Sequence, residues 1–232
     1  MTGSSGASIS TAKSENDPDI WFVLPPGFFE VKLDDSPQDR MFRMADAIDP
    51  MFPSATPEQK LSLVLSSEYA IESMLDAGAV HLSTCLYQRD DGAISQGMLA
   101  VFIKSLGSTE RLGVAQSIAD QWLTENPEAE VGGVFLPYGP AALCALERDI
   151  PVPGAMFDID KDEVTTLRQL QMAVPLHTGT HTAVFAFSTE DIDQWDNYLQ
   201  LMAEILRTIS SEEPDDISAE EADDAPAQPT VG

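Results

Sequence analysis

Residues 182–210, TAVFAFSTEDIDQWDNYLQLMAEILRTIS, constrain the fold more than any other stretch of this chain. An alternating apolar strand runs through a polar break into a helical pattern. Ile192, Trp195, Leu199, Met202, Leu206 and Ile209 recur at three- and four-residue steps, with Asp193, Asp196, Gln200 and Arg207 between them. Such a period buries one face of a helix and wets the other. The segment therefore predicts a strand and an amphipathic helix that close one compact domain.

The rest of the chain supplies partners for that strand. Residues 20–24 (IWFVL) and 28–33 read as short strands separated by Pro25-Pro26-Gly27. Proline removes a ladder donor there and glycine admits positive φ. Ser36-Pro37 and Thr56-Pro57-Glu58-Gln59 each open a helix with a hydroxyl cap and proline at the first position, the second as a full capping box. The first helix carries Met41, Met44, Ile48 and Met51 until Pro50 and Pro53 end it. The second carries Leu61, Val64, Leu65, Ile71, Met74 and Leu75 and stops at Gly78. Residues 79–87 alternate, with Val80, Leu82, Thr84 and Leu86 on the apolar side, and Arg89-Asp90-Asp91-Gly92 turns them into a returning strand at 97–106. A third helix at 113–126 is marked by Val114, Ile118 and Trp122, and strands at 129–136, 141–150 and 163–176 follow. Short connections make sequential strands antiparallel. The predicted class is α+β, a mostly antiparallel sheet flanked by helices. Residues 1–19 read as a disordered leader, 20–210 as one α+β domain, and 211–232 as a disordered acidic tail.

The opening FVLPPGFFEV, the middle sheet and the strand-helix close over 182–209 resemble the PsbP-like family, over residues 20–210. That family spans photosystem lumenal subunits, a nuclear-transport regulator that binds a small GTPase, and actinobacterial lipoproteins. The resemblance implies an α/β/α sandwich that works as a protein-binding or ligand-holding module. The composition is also similar to that of acidic proteins encoded near actinobacterial type VII secretion genes, which implies an accessory role in secretion.

Charge narrows the partners. Asp and Glu number 39 against 12 Lys and Arg, a formal balance of −27, and the last 22 residues hold eight of the acids and no base. A field of that sign repels phosphate backbones and anionic lipid, so nucleic acid and membrane surfaces are disfavoured. Basic proteins or metal cations are favoured. No apolar run approaches the ~20 residues a bilayer crossing needs, and the first residues lack the apolar core of an export signal. A soluble cytoplasmic protein is expected.

Motifs for chemistry are sparse. Cys85 and Cys144 have no CxxC spacing and no neighbouring histidine and read as buried thiols. His81 and Cys85 share a strand face, but four residues of strand separate them by about 13 Å, too far for a dyad. Gly132-Gly133 lacks the lysine of a phosphate loop. Asp158, Asp160 and Asp162 begin like a calcium loop, but no glycine stands at the sixth position and Gln169 replaces the closing glutamate. His177 and His181, in HTGTH, are the candidate metal ligands, with Asp158 or Asp160 as the third. Tyr138 and Pro140 mark a candidate binding surface near a sheet edge, and Ile217, set among acids, a candidate docking motif in the tail. No cofactor is indicated. The sequence favours a non-enzymatic protein-binding or accessory module acting through a protein partner. The alternatives are a small-ligand-binding protein or enzyme with a pocket between sheet and helices, and a structural accessory of a secretion or envelope assembly.

Overall fold

A computed structural model describes residues 8–12, 20–89, 94–106, 111–152 and 163–213. Strands β1 (Ser8–Ala12) and β2 (Ile20–Leu24) form an antiparallel pair. Seven further strands make one antiparallel sheet: β3 (Phe28–Glu30), β4 (His81–Gln88), β5 (Ile94–Ser105), β6 (Glu130–Leu136), β7 (Gly139–Val152), β8 (Glu163–Pro175) and β9 (His181–Thr189). Their order is β3-β4-β5-β9-β8-β7-β6. The helices are α1 (Pro37–Met51), α2 (Pro57–Asp76), α3 (Arg111–Glu125) and α4 (Trp195–Arg207). The fold class is α+β, as the sequence predicts. Among the described helices none is long and apolar enough to cross a membrane.

Side chains alternate across the pleat, so each strand feeds both faces of the sheet. One face packs Leu99, Val101, Met172, Phe185 and Phe187 against α4 and β2, where Trp195, Tyr198, Met202, Ile205, Phe22 and Leu24 complete the largest core. The exit of α4 is tied to β2 by mutual backbone hydrogen bonds of 2.9 Å between Trp21 and Ser210. The Val23 N–H also donates to Thr208 Oγ1 at 2.9 Å. The other face carries three smaller cores: α2 over Leu82, Met98 and Ala100; α1 with α2 over Leu86; α3 over Ala142 and Ala173.

Local signals act as their chemistry predicts. The Asp39 N–H donates to Ser36 Oγ at 3.2 Å. At α2 the Thr56 N–H donates to Gln59 Oε1 at 2.9 Å and the Gln59 N–H to Thr56 Oγ1 at 3.3 Å, closing the capping box. Gly78, at φ 86°, ends that helix.

Four expectations change. Ser8–Ala12, read as leader, is a strand on the outer edge of β2. Pro50 lies inside the last turn of α1, which continues to Met51 and closes with the Phe52 N–H on the Ile48 carbonyl at 2.9 Å. Strand β4 is buried on both sides: His81, Ser83 and Cys85 enter the α4 core while Leu82 and Leu86 enter the other. An interior strand of a three-layer sandwich has no solvent face, so its polar alternation marks no surface. Ile192, placed on the helical stripe, sits in a 3-10 turn before α4 and is exposed, and Tyr198 takes the buried place.

Candidate functional site

Helix α2 stands off part of the sheet and leaves a cleft of about 980 Å³. Its wall is one long face of α2, where Gln59, Ser62, Ser66, Ala70 and Ser73 recur at three- to four-residue spacing. The strands beneath it present Ile94, Met98, Ile150 and Leu167 beside Gln96, Thr165, Ser188 and Thr189, and Phe52, Leu63 and Met74 add apolar surface from the helical side. Glu58 on the first turn of α2, and Glu190 and Asp191 beyond the end of β9, supply the charge. Among the described residues that line it there is no Lys, Arg, His or Cys.

Hydrogen bonds brace the wall against the floor. The Gln96 Nε2 amide donates to Ser67 Oγ at 2.7 Å, and the Ser67 hydroxyl donates to the Leu63 carbonyl at 2.6 Å. On the same residue of β5, the Gln96 carbonyl accepts from the Thr189 hydroxyl at 2.6 Å, and Thr189 Oγ1 accepts from the Asp191 N–H at 3.0 Å. Arg89 then holds Asp191 Oδ1 at 3.1 Å. This chain of contacts ties α2 through β5 to β9 and fixes the shape of the cleft. It also offsets the charge of Asp191, leaving Glu58 and Glu190, both exposed, as the acids that face solvent. Hydrogen bonds from its own backbone and from Thr56 hold the Glu58 carboxyl below the usual range, so it stays ionised.

The largest displacements of titration lie outside the cleft, in or beside the α4 core. Burial pushes the Cys85 thiol up to about 12 and the Tyr198 phenol, 2.6 Å from Ser95 Oγ, also to about 12. Burial likewise raises Tyr87. A thiol held neutral in this way is a poor nucleophile. His81, 2% exposed, packs its ring edge-on to Phe22 at 4.9 Å, and burial lowers its pKa to about 4. Its Nε2 has no hydrogen-bond partner among the described residues, and Nδ1 lies 3.7 Å from Glu30 Oε1.

The His81 environment makes stability depend on pH. An unfolded chain binds a proton at this residue as pH falls below its ordinary 6.5, whereas the folded chain does so only near 4. The unfolded state therefore binds more protons between those values, and stability is lost as pH falls through the window, by about 3 kcal/mol in all. His81→Leu, similar in volume and without a proton to bind, is expected to remove that part of the acid limb. Urea denaturation of both proteins from pH 7 to 4 measures it; parallel pH profiles would refute the assignment.

The residues singled out from sequence fall elsewhere. Tyr138 belongs to the α4 core at 8% exposure, and its hydroxyl accepts from the His177 N–H at 3.2 Å. Pro140 is a β7 residue opposite Phe135. The His177 ring lies edge-on to Tyr138 at 4.3 Å, and His181 Nδ1 is 2.8 Å from Thr180 Oγ1. No group of three or more His, Cys, Asp or Glu among the described residues is placed to hold a metal ion. Asp158, Asp160 and Asp162 lie outside the described residues, as does Ile217. The cleft residues were missed because serine within a helix is easily read as solvent-facing. The legible signal was Ser62, Ser66 and Ser73 on one face of α2, where serine is a poor helix former. No family model matches this chain, and no curated protein or solved structure does either.

Proposed function

We propose that this chain is a non-enzymatic binding module that receives an apolar segment of a basic protein partner in the cleft beside α2. The observation that carries the reading is the lining itself, apolar side chains set among uncharged polar ones, with two solvent-facing acids and no base among the described residues. Apolar anchors supply affinity in such a groove, and the acids favour partners whose anchors are flanked by Lys or Arg. The overall balance of −27 adds long-range attraction for the same partners. The non-enzymatic part of the reading is supported by the separation of the cleft from the buried His81 and Cys85.

A pair of synthetic peptides tests it, each with the same leucine-rich centre, one flanked by lysines and one by glutamates. Fluorescence anisotropy against the full chain is expected to show at least tenfold tighter binding of the lysine peptide, weakening as ionic strength rises from about 0.05 to about 0.5 M. Glu58→Lys with Glu190→Lys is expected to reverse the preference. Equal affinity for both peptides, or a preference untouched by the double variant, would overturn the proposal.

The volume supports a second reading, a small-ligand site, since about 980 Å³ lies at the upper end of the roughly 300–1,000 Å³ range of such pockets. Native mass spectrometry of the purified chain separates the two. A retained small molecule lost on Tyr69→Ala, which alters the cleft wall, would favour the ligand.

A further inference from the structure

Strand β6 is an outer strand of the seven-stranded sheet, and among the described strands only β7 pairs with it. The register runs without a bulge from Glu130↔Ala145 to Leu136↔Gly139, so the free edge is straight over its whole length. Exposed edges in monomers are commonly protected by lysine, proline, a bulge or extreme shortness. The opposite edge, β3, is three residues long. Strand β6, EVGGVFL, has none of these protections, and its one charge is Glu130 at the start.

Which backbone groups point outward follows from proline. Pro140 has no N–H, so the Phe135↔Pro140 pair cannot exchange two hydrogen bonds and belongs to the non-bonded set. Bonded and non-bonded pairs alternate along an antiparallel ladder. Val131, Gly133 and Phe135 therefore direct their N–H and C=O groups away from β7. The set is symmetric about Gly133. A Cβ added at Gly132 would meet nothing within 4 Å, Gly133 is exposed, and Phe135 is 77% exposed.

We propose that β6 pairs with β6 of a second copy, antiparallel about a two-fold axis through Gly133, joining two sheets into one. Val131 of each copy meets Phe135 of the other and Gly133 meets Gly133, which makes about six new backbone hydrogen bonds. Val131, Gly133 and Phe135 share one face of the pleat, so each exposed phenyl ring gains an apolar neighbour across the axis. The symmetry of the outward set about Gly133 decides for a second copy, whose identical edge is self-complementary, and charge along the edge does not oppose it. The two Glu130 side chains fall at opposite ends of the pair, about 20 Å apart at ~3.4 Å per residue. That separation exceeds the ~8 Å screening length at physiological ionic strength. The joined strands carry no other charge, so this edge offers a basic strand little to recognise. The interface is isologous and closed, and its size places it among weak, concentration-dependent contacts.

Sedimentation velocity of the full chain at concentrations spanning two decades tests the pairing. The mass is expected to rise from 25.1 kDa toward twice that value. Gly133→Pro removes an outward donor that the β6–β7 ladder does not use, so it is expected to abolish the dimer while leaving circular dichroism and Tm unchanged. Phe135→Lys is expected to do the same by adding charge to the edge. Hydrogen exchange checks the register, with the amides of Val131, Gly133 and Phe135 slowing as the dimer forms. A wild-type chain that stays monomeric throughout would overturn the proposal and leave the edge to a strand of another protein. A dimer that both variants retain would overturn it as well.

Discussion

Gly97→Ala is expected to destabilise the protein by about 3 kcal/mol, a large effect for one added methyl group. Gly97 lies in β5 opposite Cys85 of β4 and Thr189 of β9. A Cβ built on it would stand 2.3 Å from Phe187 Cζ, 2.6 Å from Phe187 Cε2 and 2.8 Å from Cys85 Sγ. Phe187 and Cys85 are at most 1% exposed, and Phe187 packs on Tyr198 with ring centroids 4.9 Å apart. The ring can yield only by displacing α4, so the strain spreads through the largest core. The backbone itself permits alanine, since Gly97 is not among the positive-φ glycines. The cost is steric, and Phe187→Leu in the same chain should recover much of it. Urea denaturation of the two variants and the parent measures this. A loss below about 1 kcal/mol for Gly97→Ala would mean that the phenyl ring has room to move.

Glu68→Ala is the second large effect, expected to cost about 3–5 kcal/mol. Glu68 on α2 and Arg40 on α1 are both buried, and they form an ion pair. The Arg40 Nε–H lies 3.1 Å from both Glu68 oxygens, Nη2 also donates to Oε1, and Nη1 donates to the Asp35 carbonyl at 2.6 Å. The hydrogen bond that Arg40 donates to Glu68 is the main cause of its raised guanidinium pKa, acting against desolvation. Removing the carboxylate strands a cation that cannot shed its proton. Replacing both partners, as Arg40→Met with Glu68→Leu, removes the stranded charge and should return stability to within about 2 kcal/mol of the parent. If the double variant were as unstable as Glu68→Ala, packing and not charge would account for the loss. Because the pair joins α1 to the helix that walls the cleft, the same single variant should also weaken peptide binding.

Elements with a local cause were legible in the sequence. Ser36 and Thr56 cap their helices by bonds that reach three residues, and Gly78 stops α2 by a conformation that few other residues adopt. Strands β7 to β9 announce themselves through apolar runs broken by Pro and Gly. Strand β1, SISTA, gave little warning, because a short hydroxyl-rich strand on an outer edge needs no apolar face. His177 and His181 drew attention as a pair, yet His177 packs on Tyr138, 39 residues away in the chain, and His181 Nδ1 meets the neighbouring Thr180 hydroxyl.

The amino-acid order by itself determined the helices, the caps of α1 and α2, most of the antiparallel strands and the acidic field, since each arises from neighbours along the chain or from a sum over it. Tertiary structure alone decided that β9 lies between β5 and β8, that β4 is buried on both faces, and that Tyr138 is core. It also decided that one face of α2 stands clear of the sheet, and that Arg40 meets Glu68 across 28 residues. These are long-range pairings. Their energies depend on which surfaces meet after the chain has closed, and a local pattern of apolar and polar residues satisfies several such arrangements equally well.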